Sequence, residues 1–151
     1  MRNPRHQPSA GSLLKTLAEF RYELRRFVHF SERVALAAGL QPRQHQLLLQ
    51  IAGARNGEAV TIAYAAERLG LKHNSTVELV DRSEREGLLT RTADPHDKRR
   101  AILEVSTKGR RLLDRLATDH AKELKERAPR LIEALEHVRR HAALDAGTEA
   151  R

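Results

Sequence analysis

Between residues 61 and 105 the spacing of apolar side chains changes period, and that change constrains the fold more than any other feature. Thr61 stands before Ile62, Ala65, Ala66 and Leu69 at helical spacing, and Gly70 supplies the left-handed residue that stops a helix. After Gly70-Leu71-Lys72 a second helical stretch starts near His73–Ser75, with Ser75 and Glu78 at capping-box spacing, and ends at Gly87. The pattern then turns to strands. Leu88-Leu89-Thr90-Arg91-Thr92 and Ala101-Ile102-Leu103-Glu104-Val105 read as two β-strands. Between them Asp94-Pro95-His96-Asp97-Lys98-Arg99-Arg100 is a turn-forming, basic tip. Two helices across a tight Gly-containing turn make a helix–turn–helix, and the hairpin directly after the second helix serves as a wing.

The flanks read as helices with one apolar stripe each. Ser12 is placed to cap a first helix through Leu13, Leu17, Phe20, Leu24, Phe27 and Val34, closed by Gly39. Pro42 opens a second through Leu47, Leu48 and Ile51, and Asn56-Gly57 is a turn signal. Thr107 or Ser106 caps a long fifth helix with Leu112, Leu113, Leu116 and Leu124; Pro129 then opens a last helix with Leu131, Leu135, Val138 and Ala142. The expected fold is mostly α with a small β-hairpin. Residues 1–11 form a flexible basic arm, 12–39 and 107–145 dimerisation helices, 40–106 the winged helix–turn–helix lobe, and 146–151 a disordered tail. Terminal stripes so far apart in sequence need a partner, and a second copy of the chain would bury both sets.

Composition removes several classes. With no cysteine among 151 residues there is no disulfide, no thiol redox switch and no Cys-bound zinc. No apolar run approaches the roughly 18 residues of a membrane span, and the N-terminus lacks a secretion signal, so cytoplasmic residence is expected. Neither G-x-S-x-G, nor a phosphate-binding glycine loop, nor H-E-x-x-H is present; no enzyme activity and no cofactor are expected. The net charge of +8 favours a polyanion. Its distribution is less telling: residues 1–59 carry nine Lys/Arg against four Asp/Glu, whereas residues 60–110 carry ten against eight. Bulk charge does not locate a DNA-reading surface.

Order along the chain does. The second helix begins with His73, Asn74, Ser75 and Thr76, short or planar hydrogen-bonding groups suited to base edges and phosphates in a major groove, and Glu78, Arg82 and Arg85 continue that face beside a Val77, Val80 and Leu88 face. Lys98, Arg99 and Arg100 put three cations at the hairpin tip after His96, and arginine suits the negative potential of a narrow minor groove. Asp97 would be repelled by phosphate, so its role is to orient an arginine. Two other readings stay open. A winged helix can serve as a protein-interaction module without an operator. Alternatively, Glu133, His137 and His141, spaced by four on the last helix, with His29, His45 and His120 elsewhere, would suit a metal-responsive regulator, although no metal ligand is assigned.

Leu40 to Gly109 resembles the MarR family of bacterial regulators. The resemblance is carried by Thr61-Ile62-Ala63-Tyr64-Ala65-Ala66-Glu67-Arg68-Leu69, by Ser75-Thr76-Val77 with Leu79-Val80-Asp81-Arg82, and by Glu86-Gly87-Leu88-Leu89. Asp94 to Arg100 and Leu103-Glu104-Val105-Ser106-Thr107-Lys108-Gly109 complete it. It implies a homodimer with intertwined terminal helices on double-stranded DNA, reading successive major grooves of a pseudo-palindromic operator. By the same match Arg99 is the minor-groove arginine and Asp97 its orienting partner. The family implies a repressor released by a small aromatic or phenolic ligand, in a cleft whose lining by position is Phe20, Arg25, His29, His45 and Leu116. This chain departs from the pattern at Ser83, where an apolar core residue is usual, and the missing cysteine excludes a thiol-based sensor.

Overall fold

The structure is a computed structural model that describes residues 10–146, and the side chains of 11–142. The expected tail from residue 147 on, and the expected arm up to residue 9, lie outside the described residues, whereas Ala146, expected to open the tail, ends α5. Among the described residues the order is α1 (Ala10–Ala37), α2 (Pro42–Ala52), α3 (Ile62–Leu69), α4 (His73–Arg85), β1 (Leu89–Ala93), β2 (Ala101–Val105) and α5 (Thr107–Ala146). These elements fall into two bodies, one formed by Ser31–Asp119 and the other by the stretches before Ser31 and after Asp119.

The Ser31–Asp119 body is built on an aliphatic core. Leu47, Leu48 and Ile51 of α2 pack with Ala65 of α3, Leu79 and Val80 of α4, Leu89 and Leu103 of the hairpin, and Leu113 and Leu116 of α5. Fully burying each large side chain is worth about 1.5–3 kcal/mol, so helices too short to stand alone hold together here. Thr61 caps α3 by accepting the Tyr64 N–H at 3.2 Å. Gly70 ends it at φ +63°, with the Leu71 N–H closing on Ala66 O at 2.9 Å. The hairpin is antiparallel in the register Leu89↔Val105, Arg91↔Leu103 and Ala93↔Ala101. Its base is fastened to α5: Ser106 Oγ donates to Gly87 O at 2.6 Å and accepts the Gly109 N–H at 3.0 Å, capping that helix. Gly109 is obligatory there, because a Cβ would stand 2.2 Å from Leu88 O.

Two local expectations change in this body. The Ser75–Glu78 capping box does not form, because Lys72 in extended backbone (φ −69°, ψ 152°) is the N-cap and makes no side-chain cap bond. The first intrahelical bond, Thr76 N–H to Lys72 O at 3.0 Å, therefore starts α4 ahead of Ser75. Leu88 lies outside β1, since its N–H closes the end of α4 on Ser83 O at 2.9 Å. Ser83 itself is buried with its hydroxyl donating to Leu79 O at 2.8 Å, so the polar group in an apolar position is satisfied within its own helix.

In the other body, α1 and the later part of α5 are joined by an ion-pair cluster. Glu23 accepts from Arg127 Nη1 at 2.8 Å and from Arg130 Nη1 at 3.2 Å, and Arg127 also binds Glu123 one turn earlier. Two expectations fall. Ser12 is not the cap of α1, and residues 10 and 11 are not part of an arm, because the helix already runs from Ala10. Pro129 does not open a separate helix: α5 is continuous through it. An interior proline forfeits one backbone bond and costs about 3 kcal/mol. Pro129 is exposed, so water can take the freed carbonyl, while Arg127 and Arg130 on either side of it both bind Glu23. Much apolar surface stays open, including Leu14, Leu17, Leu24, Val28, Leu124, Ile132 and Leu135.

Candidate nucleic-acid interface

Helix phase decides which side chains α4 offers to a partner. Thr76, Leu79, Val80 and Ser83 face the core, leaving His73, Asn74, Ser75, Glu78, Arg82 and Arg85 exposed. Thr76 was expected among the exposed groups and is corrected: it is 0 % exposed, and its hydroxyl donates to Lys72 O at 3.0 Å. Starting the helix at His73 turns Thr76 inward with the i+3 and i+4 positions Leu79 and Val80.

The wing tip is a hydrogen-bonded loop rather than a loose charged turn. Asp94, buried at its root, accepts the His96 N–H at 2.8 Å and holds Arg100 Nε at 3.4 Å. The loop closes through Asp94 N–H to Arg100 O at 3.0 Å and Arg100 N–H to Asp97 O at 2.9 Å. Asp97 Oδ1 in turn accepts from the Arg99 backbone N–H at 3.0 Å and from Arg99 Nε at 3.3 Å. Arg99 remains 91 % exposed in its side chain. Of the three tip cations, Arg100 is thus drawn back to the loop root, while Lys98 and Arg99 stand out, with His96 exposed alongside.

A residue that the sequence reading passed over ties this wing to α4. Arg91 on β1 reaches Glu84 and Asp81, and its hydrogen bond to Glu84 raises it above the ordinary guanidinium value against the opposing effect of burial. The only signal in the sequence was its place on a strand opposite acidic residues of the preceding helix. Asp94 was legible in principle, since Asp before Pro starts turns.

The remaining candidates are divided between the two bodies. Phe20, Arg25 and His29 belong to the terminal-helix body, the first half-buried and the others exposed. His45 and Leu116 belong to the Ser31–Asp119 body and are buried, Leu116 within its core. His137 contacts Thr16 Oγ1 at 2.6 Å and Ser12 Oγ at 3.3 Å. Thr16 spends its proton on Ser12 O, so Nδ1–H is the donor to Thr16. His120 lies edge-on to Phe27 and Phe30, with ring centroids 5.8 and 5.7 Å apart. Among the described residues no three His, Asp or Glu side chains converge as metal donors, and no helix is long and apolar enough to cross a membrane.

A helix–turn–helix whose second helix exposes a polar face, followed by a braced hairpin with an outstanding arginine, defines a winged helix–turn–helix protein. Residues 38–100, which span α2 to the wing tip, match the model of the MarR family. Solved structures share the fold. CouR from Rhodococcus jostii, bound to p-coumaroyl-CoA, is 24% identical over 82% of this chain and 81% of its own, with a TM-score of 0.59. AbsC, a MarR family transcriptional regulator from Streptomyces coelicolor, is 14% identical over 93% and 94%, with a TM-score of 0.68. A mutant of MepR from S. aureus, bound to an oligodeoxyribonucleotide, is 16% identical over 87% and 95%, with a TM-score of 0.61. No curated protein matches the sequence.

Proposed function

We propose that the chain is a homodimeric, sequence-specific regulator of transcription that places α4 in the major groove and Arg99 in the flanking minor groove of each half of a pseudo-palindromic operator. The observation that carries this reading is the pairing of an exposed polar start to α4 with a wing whose one outstanding arginine is aimed by Asp97. Among the exposed groups, His73, Asn74, Ser75, Glu78 and Arg82 are the base- and phosphate-facing set, and His96, Lys98 and Arg99 the wing set; Arg100 supports the loop and adds charge. The open apolar faces of α1 and α5 support a dimer, since they have no cover within the body they belong to. Repression relieved by a small aromatic ligand is the regulatory reading, supported by the p-coumaroyl-CoA bound to CouR. Of the lining positions, Phe20, Arg25 and His29 offer the accessible surface for such a molecule.

Selection of binding sites from a pool of random duplexes tests the reading directly. The expected product is an inverted repeat with half-sites about one helical turn, roughly 10 bp, apart. Enrichment of no sequence, with binding indifferent to palindromy, would return the winged helix to the protein-interaction reading.

A further inference from the structure

We infer that the first two turns of α2 form a second DNA-holding element, in which Arg43, helped by Gln46, grips a phosphate of the strand that runs beside the recognition helix. The inference rests on the DNA-binding reading above and adds residues that neither the motif nor the wing supplies.

The Ser31–Asp119 body contains a cleft of about 710 Å3 between the start of α2, the turn after α3 and the exposed face of α4. Arg43 and Gln46 of α2 line it together with Ser75, Glu78 and Arg82 of α4. A helix lying in a major groove about 12 Å wide fills it, so the phosphates of the flanking strand pass along whatever protein surface stands next to that helix. On this side of α4 that surface is the cleft.

The chemistry of the cleft walls fits such a strand. Arg43 and Gln46 are exposed and, among the described residues, make no side-chain hydrogen bond or ion pair, whereas Arg68 is held by Gln50 and Arg91 by Glu84 and Asp81. A guanidinium left free in this cleft, with a neutral amide one turn on and the Ser75 hydroxyl lining the same cleft, is a donor set for phosphate oxygens. Two carboxylates, Glu32 and Glu78, line the same cleft. They repel a phosphate, so the hold on it falls to the cationic side chains of the cleft, Arg43 first among them. Phosphate contacts carry no sequence information, so Arg43 contributes equally on any duplex.

The test uses the full chain and two probes, a random-sequence 30-bp duplex and the operator selected as above, titrated by fluorescence anisotropy over a range of salt. Arg43→Ala is expected to weaken both complexes by the same factor, roughly three- to tenfold, and to lower the slope of log K against log salt by about 1. Arg43→Lys should restore most of the slope, and the melting temperature should not move, because the side chain has no partner to lose. Arg43→Ala with unchanged affinity and slope on both probes overturns the inference while the DNA-binding reading stands. A loss confined to the operator also overturns it, since that would make Arg43 a base-reading group. A wild-type chain that binds neither probe at any salt sinks the DNA-binding reading itself, and this inference with it.

Discussion

Arg91 Nη2 lies 2.6 Å from Glu84 Oε2, and Arg91 Nε donates to the same oxygen at 3.0 Å. The same Nη2 stands 2.8 Å from Asp81 Oδ1. One guanidinium on the first strand of the wing is therefore clasped by two carboxylates one turn apart on the recognition helix. The pairing adds an electrostatic tie between a hairpin and a helix that already share the core of the Ser31–Asp119 body. Arg99 at the wing tip then projects from a base held to α4 both by core packing and by this ion pair.

Arg91→Ala should release that clasp. The carboxylates are partly exposed, so after discounting for solvent screening the loss is about 1 kcal/mol, or a melting temperature lower by about 2–4 °C. Operator affinity should fall further than stability does, because a tilting wing costs the minor-groove contact. Arg91→Lys keeps the charge without the fork and should recover only part of the affinity. Equal affinity for wild type and Arg91→Ala would show that the wing needs no brace.

Arg99 and Asp97 separate contact from aiming. Arg99→Ala is expected to weaken operator binding by about 1–3 kcal/mol with the fold intact, as the side chain is almost fully exposed. Asp97→Ala removes the acceptor of both Arg99 bonds. It should also weaken binding, although it deletes a negative charge from the surface proposed to meet DNA. Tighter binding by Asp97→Ala, as bulk electrostatics alone would give, counts against the orienting role.

These two pairs mark how far the sequence could be read. Positions fixed by backbone conformation were legible, because few residues can occupy them: Gly70 in the left-handed turn, Thr61 as a cap, Pro42 in the first turn of α2. Helix phase in α4 was not. Its buried face contains Thr76 and Ser83 as well as Leu79 and Val80, so polarity does not distinguish the inward from the outward side. Lys72 starting the helix without a side-chain cap bond removed the remaining local clue. The Asp97–Arg99 contact is two residues long and could be inferred; Glu23 and Arg127 are 104 residues apart, and nothing local to either announces the other. Pro129 misled for the same reason, since the ion pairs that hold α5 together around it come from α1.

The Glu23 cluster predicts an acid-sensitive terminal body. Hydrogen bonding from Arg127, with the charges of Arg130 and Arg127, holds the Glu23 carboxyl below its ordinary value of 4.5 against the opposing cost of burial. Between the folded and the ordinary value the unfolded chain binds the proton that the folded chain refuses. The stabilisation is therefore complete above about pH 4.5 and is lost as pH falls through the lower, folded value. Glu23→Gln should cost about 2–3 kcal/mol at neutral pH, less than an orphaned buried charge costs, because Glu123 still holds Arg127. Denaturant unfolding at a series of pH values checks the sign: the variant should lose less of its stability below pH 4.5 than the wild type. Parallel pH profiles would mean that Glu23 carries no linkage.

The open apolar faces make the oligomeric state a decisive measurement. Ile132 and Leu135 on α5 are 54% and 53% exposed, and Leu14 and Val28 on α1 are also uncovered. A lone chain keeping this much aliphatic surface in water forgoes about 25 cal/mol for every Å2 that a second copy would cover, so the uncovered state should be the minority one. The wild type is expected to sediment as a dimer at micromolar concentration. Ile132→Glu with Leu135→Glu should place charges in the covered face and yield monomers whose Ser31–Asp119 core, distant in composition from both substitutions, still melts cooperatively. Such monomers should bind a single half-site as the wild type binds non-specific duplex, and lose the preference for an inverted repeat. A wild-type monomer, or a double variant that remains a dimer, would place the contact between copies elsewhere on the chain and strip these two helices of the role assigned to them.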